Sequence, residues 1–89
     1  MAQPKVIVYK ELQISEHRPR IRDVYQIVGW NDAEPQFEIR RQFKNKEEDG
    51  WRYSHARGVR KADLEWIKEH WDEIENYLNK ACEVWKESK

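Results

Sequence analysis

The clearest pattern in the chain lies toward its C-terminal end. Leu64, Ile67, Trp71, Ile74, Leu78, Ala81 and Trp85 recur at alternating steps of three and four residues, the spacing of one apolar stripe on an α-helix. No Gly or Pro falls within residues 59–89, and Asp63 and Glu65 put negative charge where the helix would begin. The stripe predicts one long helix over residues 61–87, about 40 Å at about 1.5 Å per residue. A single small sheet is too short to cover that length. Part of the seam, through Ile67, Trp71, Ile74 and Leu78, is therefore expected to meet the same helix of a second subunit.

Residues 5–59 follow the shorter period of strands. Val6, Val8, Leu12 and Ile14 share one parity, and His17-Arg18-Pro19 reads as a turn. A second strand runs through Ile21, Val24, Tyr25, Ile27 and Val28 to Trp30. Asn31-Asp32-Ala33-Glu34-Pro35 is turn chemistry, with side chains able to bond their own backbone and a proline that fixes φ. Next, Phe37, Ile39, Arg41 and Phe43 alternate with Gln36, Glu38, Arg40 and Gln42. A polar loop from Lys44 to Gly50 leads into a fourth, weaker strand from Trp51 to Val59. Three or four antiparallel strands followed by one helix make an α+β arrangement, a single domain over residues 1–89.

Charge and cysteine content narrow the function classes. Seventeen basic residues balance seventeen acidic ones, which excludes a histone-like polycation and a polyacidic tail. The longest apolar run, Val6 to Tyr9, falls far short of a membrane span or a signal-peptide core. Cys82 stands alone and cannot form an internal disulfide, so a soluble cytosolic (cytoplasmic) protein is expected. The balance is uneven along the chain: residues 1–61 carry net +4 and residues 62–89 net −4. Residues 40–61 hold eight basic side chains against three acidic ones. A local excess of that kind acts on a nearby polyanion even when the whole molecule is neutral, because screening limits each charge to roughly 10 Å.

Catalytic chemistry finds little footing. His17, His55 and His70 are scattered, and a single cysteine does not make a zinc-ligand pattern. Gly29, Gly50 and Gly58 stand alone, so there is no glycine-rich phosphate loop. No catalytic residue, metal, cofactor or small-molecule substrate is expected, and the chain reads as a non-enzyme. The aromatics say more. Eleven of 89 residues are aromatic, and Trp30, Phe43, Trp51 and Tyr53 lie among arginines and lysines. A base stacks on a flat π face while its phosphate meets a cation, which is how single-stranded nucleic acid is held without reading sequence. Pattern alone weighs this equally against rings sealed in a core beneath a solvated basic face.

The motif Trp30-Asn31-Asp32-Ala33-Glu34-Pro35, followed by Phe37-Glu38-Ile39-Arg40 and Phe43, resembles the bacterial YdbC-like branch of the transcriptional positive cofactor four family. Arg57-Gly58-Val59 with Trp66 beyond it is similar to that family's step into its helix, and Lys10-Glu11-Leu12-Gln13-Ile14 to its first strand. The resemblance covers residues 5–80. It implies a curved four-stranded antiparallel sheet followed by a C-terminal helix, a homodimer joined through the helices, and sequence-independent binding of single-stranded DNA. Arg40 matches the family's DNA-contacting arginine, Phe43 an aromatic that is usually Trp, Arg57 the basic residue before the helix, and Trp30 a stacking ring. Lys44 and Lys46 join Arg40 and Arg57 as expected phosphate contacts, with Trp51 and Arg52 supplied by a longer 44–56 loop. Strict alternation sets Arg40 and Phe43 on opposite faces, so both reach one strand only if the sheet twists or bulges near Gln42. Ala62 replaces the usual helix-capping Ser or Asn and leaves Asp63 to serve near the N-terminus. The expected partners are single-stranded DNA, with RNA left open, and a second copy of the chain. An accessory role in transcription, replication or repair would follow. The alternative is a protein–protein adaptor that recruits a partner helix through the C-terminal seam.

Overall fold

The computed structural model describes residues 5–88; residues 1–4 and 89 of the expected domain lie outside the described residues. Four strands, β1 (Val6–Arg18), β2 (Ile21–Trp30), β3 (Gln36–Phe43) and β4 (Arg52–Ala56), precede two helices, α1 (Lys61–Glu69) and α2 (Trp71–Glu87). The strands form one antiparallel sheet in the order β1-β2-β3-β4. The class is α+β.

Alternation along β2 and β3 gives the sheet two different faces. In register, Tyr25 pairs with Ile39 and Ile27 with Phe37, whereas Val24 pairs with Arg40 and Gln26 with Glu38. The first set meets the helices: Ile27, Ile74 and Ala81 form the buried centre, and Tyr9, Leu12, Phe37, Trp66, Ile67 and Leu78 pack around it. The second set faces away from them. Val24, Gln26 and Val28 are nonetheless fully buried, and Gln26 is bonded to the Glu38 and Tyr53 side chains of the same sheet.

β1 is irregular. Its register against β2 shifts between Val8 and Lys10 and again between Glu11 and Gln13. A bulge bends and twists its strand and lets two successive residues oppose one. Tyr9 and Leu12 both pack on the core cluster, while Val8 and Ile14 stay exposed. The expected common parity of Val6, Val8, Leu12 and Ile14 is thus broken by the bulges. The β2–β3 connection is a type I′ turn: Asn31 and Asp32 have φ of 51° and 65°, and the Ala33 N–H donates to the Trp30 carbonyl at 2.9 Å.

The single expected helix is two. His70, with φ −111° and ψ 18°, separates α1 from α2. Its ring stacks on Trp66 at 4.3 Å, its Nδ1 lies 2.8 Å from the Trp66 carbonyl oxygen, and its N–H reaches the carbonyls of both Trp66 and Ile67. The bond to Trp66 is the regular i to i−4 bond, now shared with Ile67 and with the His70 ring, and the helical backbone geometry is interrupted at His70. Trp66 of α1 meets Tyr25 and Phe37, while Ile74 and Ala81 of α2 pack with Ile27. The sheet therefore covers most of the seam, and the expectation that it could not do so is corrected. Of the four residues assigned to a second subunit, Ile74 is buried and Ile67 and Leu78 pack against this chain's own core. Trp71 alone among them is exposed, at 55%.

Candidate nucleic-acid interface

On the face without helices, Trp30 closes β2 and Arg40 stands two residues from Glu38 on β3, so all three side chains meet. The Trp30 indole Nε1 donates to Glu38 Oε1 at 3.1 Å. Arg40 grips the same carboxylate with two donors, Nε to Oε1 at 2.9 Å and Nη2 to Oε2 at 3.2 Å. Its Nη1 donates to the Ser54 carbonyl of β4 at 2.8 Å, and the guanidinium lies 4.5 Å from the centre of the Trp30 ring. Gln26 and Gln36 also donate to Glu38. Tyr53 meets Trp30 edge-on at 5.4 Å and donates its hydroxyl to Gln26. Burial raises the Tyr53 pKa first, and the Gln26 bond offsets part of that effect.

A groove of about 600 Å³ opens beside this cluster, lined by Trp30, Arg40, Phe43, Trp51, Arg52 and Tyr53 among others. Arg40 and Phe43 share it despite their opposite parity. The β3–β4 pairing slips between Arg40, which faces Ala56, and Gln42, which faces Tyr53, close to where strict alternation required an irregularity. At the Trp51 end two cations lie over the indole ring, Arg22 at 4.2 Å and Lys44 at 4.7 Å. Arg22 donates to Gln42 Oε1 at 2.7 Å. Lys44 donates to the Glu47 carbonyl at 3.1 Å. The surface thus alternates rings with positive groups along one depression.

Of the eight expected contacts, Trp30, Arg40, Phe43, Trp51 and Arg52 line the groove and Lys44 borders it. Lys46 sits outside it on the exposed 44–50 loop, its backbone N–H bonded to Asp49. Arg57 is a correction: its side chain is 9% exposed and turned to the helix side. There its Nη1 and Nη2 bind both oxygens of Asp63 at 2.8 and 2.9 Å, and its Nε lies 2.9 Å from Asp23 Oδ2. Asp23 in turn pairs with Arg41, and Tyr25 donates to Asp63 at 2.6 Å. These bonds, led by those from Arg57, hold the Asp63 carboxyl well below the usual carboxylate range. Asp63 also accepts the Arg60 N–H at 2.9 Å, so it caps α1 in place of the missing Ser or Asn. Arg57 is buried because two carboxylates from different elements converge on it.

Arg22, Glu38 and Tyr53 belong to the site but were not among its expected contacts. Counting by twos from Trp30 along β2 leads to Arg22, and Glu38 shares the face of Arg40 two residues on. No three His, Cys, Asp or Glu side chains group as metal ligands among the described residues, and no described helix is long and apolar enough to cross a membrane. The chain matches no protein-family model, no curated protein and no solved structure.

Proposed function

We propose that this protein binds single-stranded nucleic acid without sequence preference, as a homodimer and without enzymatic activity. One observation carries the reading: a single groove on the helix-free face presents Trp30, Phe43, Trp51 and Tyr53 together with Arg40 and Arg52, and Arg22 and Lys44 stand over one of its rings. Bases of an unpaired strand can enter it and stack, because their faces are open. Bases in a duplex are covered by their neighbours, and a groove of side chains cannot reach them. The motif resemblance at residues 30–40 supports the same reading. An accessory role in transcription, replication or repair follows from such an activity.

The exposed Trp71 and Leu64 offer the second copy an apolar patch on the helices. The adaptor alternative would use that same patch. Titration of oligo-dT against a matched duplex, followed by fluorescence anisotropy at several salt concentrations, separates the readings. Strand binding predicts preference for the single strand and a log–log salt slope that steepens by about 0.7 for each phosphate engaged. Equal affinity for the two forms, or binding indifferent to salt, would remove it. The adaptor reading predicts that Phe43 and Arg22 variants keep full function while Trp71→Glu loses it.

A further inference from the structure

The groove's charge is not spread evenly along it, and the division assigns different work to its two ends. At one end, the Arg40 guanidinium is matched by the Glu38 carboxylate through two hydrogen bonds. The pair is shielded, with side chains 19% and 7% exposed. A third donor of Arg40 is taken by the Ser54 carbonyl. What this end presents is therefore a neutral, hydrogen-bonded platform whose flat element is Trp30. It is held by its indole N–H on Glu38, by the guanidinium over its ring and by Tyr53 at its edge.

At the other end the hydrogen-bond partners of the cations are neutral. Arg22 donates to a neutral amide and Lys44 to a backbone carbonyl. Both lie over Trp51, and Arg52 is exposed on the groove wall. Glu16 stands across from Arg22 in the β1–β2 register, and Arg20 rather than Lys44 meets the Glu47 carboxylate, at 3.7 Å.

We infer that Arg40 is a positioning residue for the Trp30 stacking platform and not a phosphate ligand, and that phosphates are taken at the Trp51 end by Arg22, Lys44 and Arg52. The inference rests on the strand-binding reading and refines it. A phosphate that approached Arg40 would meet a guanidinium whose charge Glu38 already offsets, and Glu38 is itself held by Gln26, Gln36 and Trp30. A phosphate near Arg22 displaces only a neutral amide.

Counterion release distinguishes the two roles, because a residue that neutralises a phosphate lowers the salt slope when removed, and a residue that only shapes a stacking surface does not. The experiment measures oligo-dT binding by anisotropy across salt concentrations for the full chain and for Arg40→Gln, Arg22→Gln and Glu38→Gln, each checked by circular dichroism. Arg40→Gln is expected to weaken binding at every salt concentration with the slope unchanged. Arg22→Gln should lower the slope by about 0.7, and Glu38→Gln, which frees a guanidinium into the groove, should raise it by about 0.7. A slope lowered by Arg40→Gln, or untouched by Arg22→Gln, overturns the assignment. If Arg40→Gln does not fold, Glu38→Gln decides alone: a steeper slope supports the inference and an unchanged slope overturns it. Failure of the unaltered protein to bind oligo-dT removes the strand-binding reading and this inference together. Binding with the slope lowered by Arg40→Gln removes the inference only.

Discussion

Replacing Arg57 by alanine should damage the fold and leave the groove intact. The guanidinium lies 2.8–2.9 Å from two carboxylates, Asp23 from β2 and Asp63 from α1, and all three side chains are nearly shut off from water. Without it Asp23 retains Arg41, but Asp63 keeps only neutral donors, the Tyr25 hydroxyl and the Arg60 N–H. Breaking a buried pair by removing one partner costs about 3–5 kcal/mol, because a charge is left uncompensated in a poorly solvating site. A domain of this size has about 4–13 kcal/mol of stability in total, at roughly 0.05–0.15 kcal/mol per residue. The variant should thus lose about a quarter of its stability or more. Urea denaturation followed by circular dichroism and Trp fluorescence should show the midpoint falling by about 2 M or more for a slope of about 1–1.5 kcal/mol per molar.

Acid should narrow the difference. The Arg57 bonds lower the Asp63 pKa in the folded chain below its unfolded value. That contribution is complete above about pH 4 and is lost as pH falls through the folded pKa. Arg57→Ala no longer has it to lose, so the penalty is greatest near neutrality and shrinks on acidification. A loss under about 1 kcal/mol, or a gap that widens in acid, would refute the buried-clamp reasoning. So would a folded Arg57→Ala protein whose oligo-dT salt slope has dropped, since that would return Arg57 to the phosphates.

Three further outcomes are expected. Phe43→Ala and Trp51→Ala should each weaken oligo-dT binding by about 1–3 kcal/mol with unchanged circular dichroism; full affinity in both would mean that no base stacks there. Trp71→Glu should yield a monomer in sedimentation velocity with unchanged circular dichroism, because the ring is exposed in the single chain, and a dimer that persists would refute assembly through this patch. Leu78→Glu is the less informative variant, since Leu78 packs on this chain's own core. At the type I′ turn, Asp32→Val should cost about 1–2 kcal/mol because φ is positive there, whereas Asp32→Gly should stay near the original stability; equal urea midpoints for the two would contradict the left-handed backbone.

Much of the fold could be read along the chain because it depends on local order. The alternation from Gln36 to Phe43 is β3. The Asn-Asp pair sits where φ turns positive. The three-and-four spacing from Leu64 onward is helix on either side of His70. The break at His70 was not legible, because the apolar spacing continues through it. It comes from a ring stack and a shared carbonyl, both of which depend on where Trp66 packs. The parity of β1 failed for a related reason: bulges at Tyr9 and Leu12 are chosen by the core they fill.

The candidate site divides in the same way. Residue order alone determined which rings and cations the chain has, that Trp30 ends one strand and Arg40 sits mid-way along the next, and that residues 40–61 carry a local positive excess. Only the tertiary structure decided which positive groups are paired with a carboxylate. Arg57 and Arg40 are both arginines in the basic half of the chain, yet one is locked between Asp23 and Asp63 and the other is matched by Glu38. Arg22 donates to a neutral amide instead and lies over Trp51. The physical reason is that periodicity reports which face a side chain takes, through steric and hydrophobic preferences that repeat along the backbone. Electrostatic neutralisation depends on separations of a few ångströms between residues far apart in sequence, and those separations exist only once the strands have paired and the helices have packed on the sheet.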